Sequence, residues 1–435
     1  MESALRFAPE GDRVAAWDAG LDAEQAARLQ RLEAVVPWIS LHDHPIRLPD
    51  PMTPDVWARY TAAGRERLGI EGMRRGNLRA VFYSMLGSDD PGAVLRWAAL
   101  TRALAAQNQD IFVAEDAGAL ARAEGSERLG IKGMRRGNLR AVFYSMLGSD
   151  DPGAVLRWAA LTRAEAAHNP AIFVAEDAGA LRRAEASGAI ALFLSLESAT
   201  PIGEAVDNVD LLFGAGVRSM GLTYNTRNTL GDGLLSPEDG GLTAFGREAV
   251  ARMNALGVLV DLGHVGDRTS LDACAATTRP LVISHAGARA IWPSPRMKPD
   301  EVIRACADTG GVIGIEAAPH TTITLEHRSH DIDAVMGHVA YCLELVGEDH
   351  VALGPDTFFG DHRGLHELHP IELPSPEHPI VPYVHGFENP GECHRNAAAW
   401  MIRHGYGDAV IEKVLGRNVA RVVAASLPAA PGAAR

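Results

Sequence analysis

The sequence predicts an α/β protein that folds as a single (β/α)8 TIM barrel over residues 1–435. Short apolar runs alternate with helical patterns along the chain, an alternation that is typical of a parallel sheet. Eight such runs remain when a duplicated segment is counted once, and eight strands close a barrel of this kind. Histidines and carboxylates follow several of these runs, which is where barrel enzymes carry their chemistry.

The predicted strands are short apolar runs that are read in chain order. The first is residues 35–41, immediately before His42. The second occurs twice, as residues 80–86 and 141–147, because the segment that contains it is duplicated. The other six strands are residues 190–196, 219–224, 258–262, 281–284, 312–315 and 351–353.

Helical patterns separate most of the predicted strands, and capping signals mark their ends. Residues 244–256 have helical periodicity, with Thr243 as a candidate N-cap and Gly257 as the stop. In the duplicated segment a helix begins near Pro91, since proline is well tolerated in the first helical turn. The chain therefore repeats a strand-then-helix unit.

A tandem duplication interrupts this regular order. Residues 66–124 recur as residues 127–185 with six differences. Two copies this similar indicate a recent duplication or an error in the gene model, whereas repeat folds usually share only a pattern and hold three or more units. Counting both copies gives nine strands, and nine have no place in an eight-stranded barrel. We predict that one copy fills the second barrel position and that the other is surplus.

Composition and charge exclude several classes of function. The net charge of −14 disfavours nucleic acid and anionic membrane surfaces as partners, because phosphate binding requires clustered lysine and arginine. No window resembles a membrane span, and the N-terminus lacks the apolar region of a secretory signal. The four cysteines are widely spaced and form neither a C-x-x-C pair nor a disulfide framework. We expect a cytoplasmic protein, and the sequence leaves a homodimer open.

Residues with metal-binding chemistry stand at the ends of the predicted strands. His42 and His44 form an H-x-H pair, and alternate residues of an extended strand share one face. Later strands end in the same way, with Glu197, His264, His285 and Asp356. These side chains suffice for two divalent metal ions bridged by a carboxylate, which would generate hydroxide and polarise a carbonyl group. Asp261, inside a strand, is either a partner of one imidazole or a structural carboxylate.

Longer motifs in the second half of the chain carry a family resemblance. Residues 240–248 read GGLTAFGRE and residues 256–265 read LGVLVDLGHV. Shorter matches are SHAGAR at 284–289, PSPR at 293–296, GGVIG at 310–314 and LGRN at 415–418. Together they resemble the membrane (renal-type) dipeptidases, peptidase family M19, within the amidohydrolase-like metal hydrolases. The resemblance covers residues 35–425, less one repeat copy.

The resemblance implies a (β/α)8 hydrolase of dipeptides that holds two zinc ions. Carried over to this chain, His42 and His44 would hold one ion. His264 and His285 would hold the other, and Glu197 would bridge the two. The chain departs from the family at His44, where the family has an aspartate. This change makes the site less negative and gives the H-x-H pattern of the wider amidohydrolase superfamily.

The same resemblance implies roles for three further residues. Asp356 would transfer the proton of the attacking water and of the leaving amine. Arg296 would pair with the terminal carboxylate of the substrate, for which a planar guanidinium is suited. Tyr224 stands where the family has a histidine that contacts the substrate, and its hydroxyl is able to donate a similar hydrogen bond.

The favoured prediction is a metal-dependent dipeptidase that uses a metal-bridging hydroxide to cleave its small-molecule substrate. His44 and Tyr224 leave open an amidohydrolase-like enzyme acting on N-acyl amino acids, other amides or lactones. A barrel inactivated by the duplication is the non-enzymatic alternative. Residues 357–394 are rich in histidine and proline, and we expect them to form a surface loop that covers the site.

Overall fold

The computed structural model describes residues 17–43, 139–146, 151–168, 172–187, 189–318, 322–357, 384–387 and 393–429. Short parallel strands form the centre of this part of the chain. They are β1 Trp38–Asp43, β2 Leu139–Met146, β3 Ile172–Val174, β4 Ile190–Leu196, β5 Val217–Gly221, β6 Leu259–Asp261, β7 Val282–Ala286, β8 Val312–Ile315 and β9 Val351–Leu353.

All of these strands belong to one curled parallel sheet. Its order is β1-β2-β4-β5-β6-β7-β8-β9, and the short β3 pairs with β4 outside this path. The backbone N–H of Asp356, just after β9, donates to the carbonyl of His42 in β1 at 3.1 Å. This bond brings the two ends of the eight-strand path together. The predicted α/β barrel class is therefore confirmed.

Three of the predicted strands have their predicted limits, and the other strand ends are shifted by one to three residues. β1 begins at Trp38 rather than at residue 35, because the chain is helical up to Val35. β4, β8 and β9 begin and end where they are predicted. β5 ends at Gly221 rather than at residue 224, because the chain then turns and the N–H of Thr226 donates to the carbonyl of Tyr224. The predicted strands do not include β3, which pairs with β4 outside the main strand order.

Helices connect most of the strands. They are α1 Ala23–Val35, α2 Pro152–His168, α3 Ala180–Ser187, α4 Asn208–Gly214, α5 Ala244–Leu256, α6 Asp267–Ala276, α7 Asp300–Asp308, α8 Ile332–Val346, α9 Cys393–Arg403, α10 Asp408–Glu412 and α11 Asn418–Ser426. α5 has its predicted limits: the hydroxyl of Thr243 accepts the N–H of Gly246 at 2.9 Å, and Gly257 ends the helix at a φ of +81°. Within the described ranges, no helix is both long and apolar enough to cross a bilayer.

The second copy of the duplicated segment supplies β2 and α2. β2 pairs with β1 on one side and with β4 on the other, so this copy occupies the second barrel position. The first copy, residues 66–124, lies outside the described residues, and its surplus nature stays a prediction. Most of the predicted surface loop at 357–394 also lies outside them. Its end is not surface loop, because Cys393 and His394 are buried in the first turn of α9.

α11 covers one end of the barrel and leaves the other end for chemistry. Its Val419, Val422 and Val423 pack with residues of the barrel interior such as Leu41 and Phe193. The hydroxyl of Ser426, the last residue of α11, donates to the carbonyl of Pro280, just before β7. α11 therefore lies at the N-terminal end of the strands, and the C-terminal ends, where barrel enzymes place their sites, face the opposite way.

Candidate metal centre

Five of the predicted site residues meet at the C-terminal ends of the strands. His42 lies in β1, Glu197 follows β4, His264 follows β6, His285 lies in β7 and Asp356 follows β9. The first four are buried, and the side chain of Asp356 is 19% exposed. Burial of this many polar groups together is costly unless they pair or bind a cation. The remaining predicted metal ligand, His44, lies outside the described residues.

The carboxylate of Glu197 lies between two imidazoles. Its Oε1 is 3.5 Å from Nε2 of His42, and its Oε2 is 3.6 Å from Nε2 of His264. Nε2 of His42 is also 3.5 Å from Oδ1 of Asp356. Two overlapping groups result, each with ligand atoms within 4.8 Å of one another: His42, His285 and Asp356, and Glu197, His264 and His285. His285 belongs to both groups.

A carboxamide and a tyrosine ring orient His264. Its Nδ1 lies 2.7 Å from Oδ1 of Asn225, so Nδ1 carries the proton and donates. Asn225 adopts a left-handed φ of 58°, a conformation that asparagine tolerates better than most residues. The ring of Tyr224 stacks on His264 with centroids 4.2 Å apart. The predicted substrate-binding residue Tyr224 therefore borders the metal centre.

A serine and an aspartate orient His285. Oγ of Ser284 lies 2.6 Å from Nδ1 of His285 and 2.5 Å from Oδ2 of Asp261. Oδ1 of Asp261 also accepts the backbone N–H groups of Ser284 and Gly263, at 2.8 and 3.0 Å. Asp261 accepts the serine hydroxyl, and Ser284 is then left to accept the proton on Nδ1 of His285. Asp261 is therefore a partner of an imidazole, which is one of the two roles that the sequence allowed. The contact is indirect, because Ser284 lies between Asp261 and His285.

Both of these imidazoles are neutral and present a lone pair to the centre. Burial, with the positive charge of Arg296, holds the pKa of His264 well below its usual value. Burial and the proximity of His42 do the same to the pKa of His285. The two Nε2 atoms lie 2.9 Å apart. Two lone pairs at this distance repel, and a divalent cation between such groups would relieve the repulsion, so the donor set fits a metal centre.

Asp356 is held against β1 by its backbone. It has a φ of 55°, and its N–H donates to the carbonyl of His42. A non-glycine residue in this region is uncommon, and such strain is typical of functional sites. The strained backbone places the partly exposed carboxylate beside the imidazole of His42.

Arg296 lies beside the centre but is already paired. Its Nη2 is 2.8 Å from Oε2 of Glu316, and its Nη1 donates to the carbonyl of Gly263 at 2.8 Å. Arg296 and Glu316 are both buried. Glu316 directly follows β8 and is the residue that sequence reasoning missed. Glu316 comes directly after the predicted strand 312–315, so the rule that was applied to the other strand ends also identifies this residue.

A parallel barrel that gathers histidines and carboxylates at the C-terminal ends of its strands is the class of protein that is suited to binding divalent metal at that end. Comparison with known families makes this more specific. The chain belongs to the family described as Membrane dipeptidase (Peptidase family M19), whose model matches residues 40–369. The family predicted from the motifs is confirmed, and with it the use of divalent metal.

The chain is also similar to individual proteins. A protein of Klebsiella pneumoniae, described as an uncharacterized protein in the pqqA 5′ region, is 32% identical over 219 residues, which are 45% of this chain and 81% of that protein. Dipeptidase tcpJ of Claviceps purpurea (strain 20.1) is 29% identical over 239 residues, 54% of this chain but only 51% of tcpJ. The crystal structure of an amidohydrolase from Pseudomonas aeruginosa aligns with a TM-score of 0.62 at 26% identity, covering 68% of this chain and 92% of that one.

Proposed function

We propose that this protein is a metal-dependent dipeptidase that hydrolyses the peptide bond of dipeptides. The observation that carries the proposal is the position of Glu197, which directs one carboxylate oxygen toward His42 and the other toward His264. A carboxylate shared in this way suits two neighbouring divalent ions. Membership of the dipeptidase family supports the peptide bond as the bond that is cleaved.

Two zinc ions are the proposed cofactors. His42, together with His44, would hold one ion, and His264 and His285 would hold the other, with Glu197 between them. Nitrogen and carboxylate ligands are those that zinc prefers in catalytic sites. When bound, the ions would acidify a water molecule and polarise the carbonyl group of the substrate.

Asp356 is the proposed proton carrier. Its carboxylate is the most exposed of the group and lies 3.5 Å from Nε2 of His42, so it is placed to accept a proton from water and to return it to the leaving amine. Tyr224 is the proposed donor to the substrate, since its half-buried ring borders His264. Arg296 is the second proposed substrate-binding residue, at the C-terminal end of the substrate.

The cellular location and the oligomeric state of the enzyme are expectations from the sequence. We propose that it acts in the cytoplasm on a small-molecule substrate, without nucleic acid or membrane as a partner. A homodimer remains an open prediction that sedimentation of the purified chain would test.

A substrate screen tests the proposed function. Protein loaded with zinc is offered dipeptides, N-acyl amino acids and lactones in parallel, and free amino acid or ring opening is measured. Dipeptide hydrolysis that a chelator abolishes and zinc restores is the expected result. Turnover of N-acyl amino acids or lactones without turnover of dipeptides would overturn the proposal and favour an amidohydrolase-like enzyme of other specificity.

A further inference from the structure

A buried ion pair borders the metal centre. Nη2 of Arg296 lies 2.8 Å from Oε2 of Glu316, and the two side chains are 2% and 0% exposed. The same guanidinium donates to the carbonyl of Gly263, which immediately precedes His264. The pair is therefore a part of the wall of the site.

Charge balance limits what Arg296 is able to bind. The single positive charge of Arg296 is compensated by the carboxylate of Glu316, so the pair is neutral as a unit. A substrate carboxylate that took the place of Glu316 would leave a buried and uncompensated anion, which is strongly unfavourable. A substrate carboxylate that joined Glu316 would put two anions on one guanidinium in a region of low dielectric.

We propose that Glu316 determines specificity by supplying, from within the chain, the carboxylate with which Arg296 pairs. The site then accepts dipeptide derivatives with a neutral C-terminal end, the amides and esters, at least as well as dipeptides that end in a free carboxylate. This inference rests on the proposed function for its class of substrate, and its test uses binding as well as turnover.

Ligands that differ only at the carboxyl end provide the first test. Binding of alanine and of alaninamide to the wild-type protein is measured by calorimetry with zinc and, because a carboxylate also coordinates zinc, without it. Without zinc we expect the two affinities to lie within about threefold of each other, since a neutral pair gives little preference for charge. A preference for alanine of more than about threefold in the metal-free protein would overturn the proposal, because it would require an available positive charge on the protein itself.

The Glu316→Gln variant provides the second test. It keeps the size of the side chain but removes the negative charge that faces Arg296. We expect the affinity for alanine to rise about tenfold or more while that for alaninamide stays unchanged, as for a newly available charged hydrogen bond. For a dipeptide, the gain should fall in KM rather than in kcat. An affinity for alanine that is equal to or lower than that of the wild type would overturn the proposal.

Two further variants complete the design. Glu348→Gln makes the same change in a surface ion pair, that of Glu348 with Lys413. Because Glu348 lies just before β9, it is at the end of the barrel opposite the site, and this variant should alter neither affinity. The double variant Arg296→Gln with Glu316→Gln is charge-balanced and serves if Glu316→Gln alone does not fold. It should bind alanine no better than the wild type, and a tenfold gain in this variant would contradict a role of Arg296.

Failure of the proposed function is distinguishable from failure of this inference. If the wild type hydrolyses neither a dipeptide nor its amide, the dipeptidase proposal fails. The comparison of alanine with alaninamide still decides the role of Glu316, since it requires no turnover.

Discussion

Oγ of Ser284 lies 2.6 Å from Nδ1 of His285, on the edge of the ring that faces away from the metal centre. The serine hydroxyl itself donates to Asp261, so it accepts from the imidazole and fixes one tautomer. Nε2 of His285 is thereby left with its lone pair directed at the nitrogen of His264. Outer hydrogen bonds of this type orient metal-binding histidines and raise their basicity.

Replacement of Ser284 by alanine should weaken metal binding. Without the hydroxyl, His285 loses its orienting partner, and we expect the affinity for zinc to fall about tenfold or more. Competition with a chelator of known affinity measures it. Ser270→Ala is the matched control, because this buried hydroxyl in α6 has no hydrogen-bond partner among the described residues. Equal zinc affinity in the Ser284 variant and the wild type would contradict the role of Ser284.

Glu197→Gln should reduce the occupancy of both ions. One carboxylate faces His42 with one oxygen and His264 with the other, so removing its charge affects both positions. Elemental analysis of the purified variant should give fewer than two metal ions per chain. Glu348→Gln at the opposite end of the barrel should retain the wild-type content. A content that stays at two in the Glu197 variant would show that the carboxylate is not shared.

Asp356→Asn should impair turnover and leave the fold intact. Asparagine tolerates the positive φ of 55° at this position, so the backbone bond to His42 is kept while the proton carrier is lost. We expect kcat to fall about a hundredfold or more, the usual effect of removing a general acid–base group. Asp408→Asn, at an exposed carboxylate paired with Arg28, is the control. A kcat within threefold of the wild type would reassign the proton transfer to another group.

Deletion of residues 66–126 should preserve the fold. The second repeat copy already supplies β2, which is paired on both sides, and the deletion leaves this copy in place. Circular dichroism and thermal unfolding of the shortened chain should match those of the full chain. Loss of the cooperative transition would show that both copies are required, and loss of activity with an intact fold would show that the first copy contributes to the site.

Stability should fall in mild acid because of His338. Its Nδ1 accepts the N–H of Ala288 and its Nε2 donates to the carbonyl of Ile323, so the buried ring is neutral. Burial lowers the pKa of His338 to about 4 from the ordinary value of 6.5. Between these values the unfolded chain binds more protons than the folded one, so the stabilisation is complete above pH 6.5 and is lost as the pH falls toward 4.

Urea unfolding of the wild type and of His338→Gln measures this effect. Glutamine is able to donate and accept but does not titrate. The loss of unfolding free energy between pH 7.5 and pH 5.5 should be smaller in the variant by roughly 1 kcal/mol. Equal losses in the two proteins would show that His338 does not titrate differently on folding.

The sequence predicts those features that depend on local signals. Helix α5 is delimited by Thr243 and Gly257, whose capping bonds involve neighbours in the chain, and both limits are correct. The site residues at strand ends are predictable because a parallel barrel brings all of those ends together. The partnership of Arg296 with Glu316 joins the loop after β7 to the end of β8, and no local pattern indicates such a tertiary contact.

Titration of metal-free protein with zinc, followed by dipeptide hydrolysis at each step, tests the dipeptidase assignment most directly. The chelated protein should be inactive, and activity should rise with added zinc until two equivalents per chain are present. Glu197→Gln should require a higher zinc concentration or stay inactive. Dipeptide hydrolysis that is absent at every zinc concentration, in a protein that is folded and binds zinc, would contradict a metal-dependent dipeptidase.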